Sequence, residues 1–459
     1  MQIFIRWMLA VTLALPGAAV AQFFGSPAVP NIGPPTDALV PEAAAMQDRL
    51  EELGWIIRGQ STFILQGHPG FSSPYRGENS MAPAPNARNT FSTDLVLGRR
   101  LWQGAEVIVN PSITRGFGLS NSVGAAAFPN NEAFRLGSTL PYLFVPRLFF
   151  RQTVALGSGT VPYDGDPMRF NAALPERRIT FTLGKISTWD VFDDNRYSHD
   201  PRTQFINWAL VGGAAVDYAA DARGFTPGAV FEYDDGTWGL RTGIFQVSRQ
   251  VNGLFLDPAL TRAWQWLIQG DRFWRLADRP GAVRLLYGLS SSRQSTWREI
   301  SINGFDSFAK NPHGYRRKDM ASINFEQEVA DGIGIFGRAT WNDGRTNNWM
   351  FTEVDRALSG GVSVSGGRWR RDGDTLGLAT NIGWISRGRQ SYLETGGIGF
   401  IVGDGRLNYQ PEWVTELYYD ARIAAGVNVA LNYQFLANPA YNSDRGPIHL
   451  FALRLRTAF

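Results

Sequence analysis

From Trp189 to Leu210 the chain reads WDVFDDNRYSHDPRTQFINWAL. The segment gathers acids (Asp190, Asp193, Asp194, Asp200), arginines (Arg196, Arg202), amides (Asn195, Gln204, Asn207), His199 and aromatics (Trp189, Phe192, Tyr197, Phe205, Trp208). Planar rings stack on the apolar faces of a sugar, while carboxylates and guanidinium forks hydrogen-bond its hydroxyls. A loop that is polar only because it is wet would show the same residue types. Catalysis has thinner support. Ser198, His199 and Asp200 are adjacent, but the chain contains neither a Gly-x-Ser-x-Gly elbow nor a Walker loop. The histidines (His68, His199, His313, His449) lack metal-ligand spacing, and Asp372-Gly373-Asp374 lacks the other positions of a calcium loop. No catalytic residue, metal or cofactor is expected.

The segment has neither strict alternation nor a helical stripe, so it reads as a long structured loop, and such loops inside ordered domains are usually functional. The elements that must hold it have a period of two. In Ile57–Gln66, Ile57, Gly59, Ser61, Phe63 and Leu65 share one face, with Arg58, Gln60, Thr62, Ile64 and Gln66 on the other. The pattern recurs at Phe91–Trp102, from Ala105 to Asn110, and at Arg147–Leu156, Arg178–Ile186, Gly228–Tyr233, Trp238–Val247 and Trp264–Phe273. It continues at Val283–Leu289, Ala321–Val329, Ile335–Trp341, Gly360–Gly366, Leu376–Trp384, Trp413–Ala421, Val427–Phe435 and Phe451–Phe459. These are sixteen strand candidates.

Their connections alternate in length. Short turns such as Asp234-Asp235-Gly236 and Ala330-Asp331-Gly332 lie between long segments such as Ser112–Phe144, Ser187–Thr226, Ser290–Lys318 and Ile385–Glu412. That asymmetry, with charge on one face of most strands, fits a water-filled outer-membrane barrel better than a soluble sandwich. Gly397–Val402 would break the parity if it spanned, so it is assigned to a loop. Gly157–Arg177 is long for the short-turn side.

Several blocks also match a known family. GKISTWDVFDDNRYSHDPRTQFINWAL (Gly184–Leu210) resembles the signature region of the carbohydrate-selective porins, the OprB-type outer-membrane channels. GRRLWQGAEVIVNP (Gly98–Pro111), GFGLSNSVGAAAFPNNEAFRLG (Gly116–Gly137), RLFFRQTVALG (Arg147–Gly157), RPGAVRLLYG (Arg279–Gly288) and NYQFLANPAYNSDRGP (Asn432–Pro447) are similar in the same order. The resemblance implies a sixteen-stranded outer-membrane barrel passing sugars such as glucose. Two places depart from the family pattern: Asn432 stands where an acid is expected, and Leu289–Ile300 matches only loosely.

Composition agrees with many strands, tight turns and aromatic belts: 15 Trp, 14 Tyr, 30 Phe and 50 Gly in 459 residues. The absence of Cys excludes disulfides and Cys-ligated metals. Charge is nearly balanced, 44 basic against 41 acidic residues, and no basic stripe points to nucleic acid. Lysine occurs only at Lys185, Lys310 and Lys318; arginine suits hydroxyl and carboxylate recognition better.

Residues 1–21 read as a signal peptide, with Arg6, an apolar core from Trp7 to Pro16 and the cleavage signal Ala19-Val20-Ala21. Residues 22–53 form a Pro- and Ala-rich periplasmic lead ending in a short helix over Glu42–Leu53, and 54–459 form the barrel. The fold expected is all-β: a sixteen-stranded antiparallel transmembrane barrel with short periplasmic turns, long extracellular loops and that helix. The last strand places Phe451, Leu453, Leu455 and Phe459 outward, and such a terminal aromatic strand is what barrel-assembly machinery reads.

The function expected is passive, substrate-selective diffusion of carbohydrates across the Gram-negative outer membrane. A general or anion-preferring porin is the first alternative, and a barrel-borne hydrolase the second. Outer-membrane lipid, lipopolysaccharide and the assembly machinery are the other expected partners. Ser187–Leu210 is expected to fold partly into the lumen and form a constriction with wall arginines. Candidate solute-binding residues are Asp190, Asp194, Asn195, Arg202 and Trp208 from the loop. Arg58, Asp94, Glu106, Arg151, Glu232, Arg241 and Arg284 join them from the wall.

Overall fold

In the computed structural model the chain closes into a sixteen-stranded antiparallel barrel. The structure describes residues 41–133, 139–161, 167–170, 173–309 and 314–458. The expected signal peptide, most of the lead and Phe459 lie outside these residues. The strands are β1 (Trp55–His68), β2 (Asn86–Trp102), β3 (Ala105–Arg115), β4 (Tyr142–Ala155), β5 (Arg178–Ile186), β6 (Thr226–Asp234), β7 (Trp238–Gln246) and β8 (Trp264–Leu276). They continue as β9 (Arg279–Ser292), β10 (Arg316–Ala330), β11 (Ile333–Asn342), β12 (Arg356–Ser365), β13 (Thr375–Trp384), β14 (Glu412–Ala424), β15 (Val427–Ala437) and β16 (Ile448–Ala458). Each pairs with its neighbours in sequence, and β1 closes on β16 from Gln60↔Ala458 to Gly67↔Phe451. Closure leaves no edge strand with unpaired backbone groups. All sixteen segments read from periodicity fall on these strands, and Gly397–Val402 lies in a loop.

The barrel is inside out relative to a soluble protein. Along β16, Phe451, Leu453 and Leu455 are exposed, while Ala452, Arg454 and Arg456 are buried. An apolar outer face is satisfied by lipid, where a charge at mid-depth would cost about 2–4 kcal/mol. Tryptophans stand near both ends of this face: Trp55, Trp102 and Trp238 beside the short turns, Trp264, Trp341 and Trp413 beside the long loops. The turns themselves are tight. At Gly104 (φ 76°), between β2 and β3, a Cβ would sit 2.0 Å from the Thr153 carbonyl oxygen. Any other residue there would displace β4.

The connection from β4 to β5 is long because it folds back. Thr160–Val161 pairs with Leu174–Pro175, and Met168 and Phe170 pack inward against Ile56, Val96, Ile108 and Phe149. A helix, α1 (Pro41–Glu52), lies against β1 at the same end, where Gln47 Nε2 donates to the Ile57 carbonyl (3.0 Å) and Glu51 pairs with Arg58. At the opposite mouth the long loops pack on one another inside the barrel. Buried carboxylates tie them together: Glu412 accepts from the Ala126, Ala127 and Ala440 amides (3.0, 2.6 and 2.6 Å), and Glu353 accepts from those of Ile401 and Val402 (3.2 and 2.9 Å).

Candidate functional site

The loop between β5 and β6, residues 187–225, enters the lumen. It starts with a capped turn in which the Ser187 amide donates to Asp190 Oδ2 (2.9 Å). Asp190 is also gripped bidentately by Arg147 of β4, Nε to Oδ2 2.7 Å and Nη2 to Oδ1 2.6 Å. Beyond this turn the loop crosses to the far wall. The Asp193 amide donates to Gln269 on β8 (2.8 Å), its carboxylate accepts from Asn324 on β10 (2.8 Å), and the Arg196 amide donates to Glu326 (2.7 Å). Arg338 of β11 donates to the Ser198 and Leu210 carbonyls (2.6 and 3.2 Å), and Arg454 of β16 to those of Pro201 and Gln204 (2.8 and 2.6 Å). Glu416 of β14 accepts from the Ile206 and Asn207 amides, both at 2.9 Å, and is itself steadied by Asn432 Nδ2 at 2.8 Å. Phe205 fills the space between Phe336 and Tyr418, with ring centroids at 5.7 and 4.8 Å. Charged side chains of the wall thus satisfy the backbone groups of an irregular segment that would otherwise be stranded at membrane depth.

Because the loop is fastened to β8–β16, open space remains on the side of β1–β4. It is a passage of about 190 Å³. The wall contributes Gln60, Asp94, Asn110 and Arg147; the loop contributes Asp190, His199, Asp200 and Arg202; the β3–β4 loop contributes Asn131 and Glu132. Pro167 and Met168 of the folded-back turn also line it. Local irregularity aims two of the wall groups. The β3–β4 register shifts between Asn110 and Ser112, around Pro111, so that Asn110 lies opposite Arg147 and its Oδ1 accepts from Arg147 Nη1 at 3.1 Å. Proline supplies no ladder N–H, which places it at such a bulge.

At the centre, Arg202 Nε donates to Glu132 at 3.0 Å and Nη1 to Asp94, while Glu132 also accepts from Ser92 Oγ at 2.5 Å. Beside this charged rung stands a run of rings: Phe128–Trp208 at 5.4 Å, Trp208–Trp189 at 6.2 Å and Trp189–Tyr218 at 5.5 Å. Trp189 Nε1 has no hydrogen-bond acceptor among the described residues. Burial, then the nearby Arg338 charge, pushes the His199 pKa down to about 4, so its ring is neutral near pH 7. Ser198 Oγ donates to the Leu210 carbonyl rather than to His199, so the adjacent Ser-His-Asp residues do not assemble a nucleophile and base. Among the described residues no group of acids and histidines is placed to hold a metal.

A family model described as carbohydrate-selective porin, OprB family, matches residues 78–459. The chain belongs to that family. It is therefore a sugar-selective channel of the outer membrane, and porins of this kind are channels rather than enzymes. The high-pH structure of Pseudomonas putida OprB aligns with a TM-score of 0.67 at 15% identity, covering 91% of this chain and 97% of that one. The low-pH structure of the same porin gives 0.50 at 11% identity over 92% and 98%. At such identities the likeness concerns the fold. No curated protein matches the chain.

Of the residues singled out from sequence, Asp94, Asp190, Arg202 and Trp208 line the passage of this porin. The others lie elsewhere. Arg58 donates to the Arg169 carbonyl (2.9 Å), and Arg151 to that of Met168 and to Glu106 (2.5 Å), so all three hold the folded-back turn in place. Across the lumen, Arg241 lies between Glu232 (3.4 Å) and Asp271 (3.1 Å), and Arg284 between Asp194 (3.6 Å) and Glu326 (3.3 Å). Asn195 is buried against Asn324 at 2.7 Å. These residues anchor the loop from behind. The lining groups not picked out from sequence include Gln60, Asn110, Asn131, Glu132, Arg147, Phe128 and Arg223. The PNNE run (Pro129–Glu132), two amides and an acid following Phe128 in a long loop, was the available signal.

Proposed function

We propose that the passage between the inward loop and β1–β4 is the sugar-selecting constriction of the porin, and that its solutes are monosaccharides such as glucose. The supporting observation is the juxtaposition of Arg202, held between Asp94 and Glu132, with the ring run of Trp189 and Trp208. A pyranose lying there has an apolar face to set on an indole and hydroxyls within reach of a guanidinium flanked by carboxylates. Affinity is modest, roughly millimolar or about −4 kcal/mol, because a channel must release what it holds.

The test is a sugar titration of the current through the purified porin in planar bilayers. Selective binding gives block that saturates and ranks sugars. Conductance that tracks ion size and charge without saturable block would instead support the general-porin alternative. On the same reading, cleavage follows Ala21, the exposed apolar face contacts outer-membrane lipid and lipopolysaccharide, and the strand ending at Phe459 is presented to the assembly machinery. The seam that this strand makes with β1 supports the last point.

A further inference from the structure

The outer face of β8–β10 at its long-loop end differs from the apolar surface below it. Outward positions on β10 are Arg317, Asp319, Ala321, Ile323 and Phe325, alternating with inward Lys318, Met320, Ser322 and Asn324. Ser291 of β9 lies directly between Trp264 of β8 and Arg317 of β10 in the ladder. The Ser291 hydroxyl also donates to the Arg262 carbonyl at 2.6 Å, so Arg262 is tied to the same point. Two residues beyond Ser291 is Arg293. Arg262 and Arg293 both stack on Tyr315, with guanidinium carbons 5.1 and 5.0 Å from its ring centroid. Two arginines therefore stack on one tyrosine, and Arg317, two residues along from that tyrosine, shares the ladder rung of Ser291 and Trp264.

Tryptophans of a barrel mark the interface between hydrocarbon and headgroups, so these guanidinium groups stand at headgroup level. The acids nearby are engaged. Asp257 accepts from Arg293 Nε (2.8 Å) and from the Tyr315 hydroxyl (3.1 Å), and Asp319 accepts from the Tyr287 hydroxyl (2.5 Å). Arg262 and Arg317 are exposed and have no carboxylate partner among the described residues. Stacking on a ring orders a guanidinium while leaving its N–H edge available, the geometry that takes a phosphate bidentately.

We propose that this patch binds the phosphates of lipid A in the outer leaflet. The occupant follows from position and charge. The site faces lipid rather than the lumen, it lies at the long-loop end of an outer-membrane barrel, and the anion at that level is a phosphorylated glycolipid.

Native mass spectrometry of the whole porin in detergent tests this, with bisphosphorylated lipid A, its dephosphorylated form and inorganic phosphate as probes. The wild type is expected to retain lipid A and not the dephosphorylated form. The variant R262Q/R317Q should bind it on the order of tenfold more weakly, about what one lost charge-assisted contact accounts for. Arg356→Gln serves as the control, an outer-face arginine at the same end between Trp341 and Trp384, and should behave as wild type. Sugar block should be unchanged in both variants, which separates this site from the constriction. Equal retention by wild type and R262Q/R317Q, equal binding of the dephosphorylated lipid, or inorganic phosphate binding as tightly as lipid A would overturn the proposal. So would a change in oligomeric state without a change in lipid binding, which would make the patch an interface between copies.

Discussion

Arg338, on the inner wall of the barrel, donates to the Ser198 carbonyl at 2.6 Å and lies 3.3 Å from the Asp193 carboxylate, both in the inward loop. The wall and loop partners are 140 residues apart in sequence, and Arg338 and Asp193 are both almost completely buried. Removing the cation leaves Asp193 buried without it, a change that typically costs about 3–5 kcal/mol. Arg338→Met should therefore lower the temperature of the heat-induced gel shift of the folded barrel and raise current noise as the loop loosens. Wild-type noise and an unshifted transition would show that the loop is held without it.

A second prediction concerns pH. Burial pushes the Asp194 carboxyl up from 3.8 to about 7; Glu326 adds to the rise, while Arg284, Arg241 and Arg338 oppose it. With the folded value above the unfolded one, its contribution to stability is fully present below pH 3.8 and is lost as pH rises through about 7. Asp194→Asn removes that loss. Thermal unfolding of the two proteins should diverge with rising pH across this window, in favour of the variant. A gap independent of pH would contradict the assignment.

Ion selectivity follows from the lining. Arg147, Arg202 and Arg223 face Asp94, Glu132, Asp190 and Asp200, and His199 is neutral. The small acidic excess should give a modest cation preference, larger in dilute salt where screening is weaker. Reversal potentials in a KCl gradient measure it, and Glu132→Gln should move them toward zero. A preference for chloride would mean that groups outside this passage set the selectivity.

Strand positions were legible from sequence because an inside-out barrel writes its period of two directly into residue type, as in Phe451-Ala452-Leu453-Arg454. The inward loop was legible from its rings and acids. Its partners were not. Arg58, Arg151 and Arg284 carry the same chemistry as Arg202 and face the same lumen, yet their roles depend on where a turn and a loop come to rest. Arg58, a solute-binding candidate from its residue type, meets the Arg169 carbonyl, and nothing local in the sequence reveals that residues 167–170 fold back to it. The lining role of Asn131 and Glu132 likewise depends on packing between loops distant in sequence, which periodicity does not record.

The termini give a further check. Deleting Phe459 or replacing it with Asp should lower the amount of heat-modifiable barrel in the outer membrane, since the last strand forms the closing seam with β1. Mass spectrometry of the mature protein should place its N-terminus at Gln22. Normal barrel yield from the Phe459 variants, or a mature chain starting at Met1, would count against these readings.

The constriction is tested most directly by sugar block of the single-channel current in Arg202→Ala. Arg202 lies in the passage between Asp94 and Glu132, whereas Asp194 lies behind the loop, 3.6 Å from Arg284. The two residues look equivalent in sequence, but their variants should part. Arg202→Ala is expected to weaken the apparent sugar affinity by about tenfold, roughly 1.4 kcal/mol, with a smaller change in sugar-free conductance. Folded Asp194→Ala channels should keep block close to wild type. Wild-type sugar block in Arg202→Ala would contradict the account and remove this passage as the selecting element.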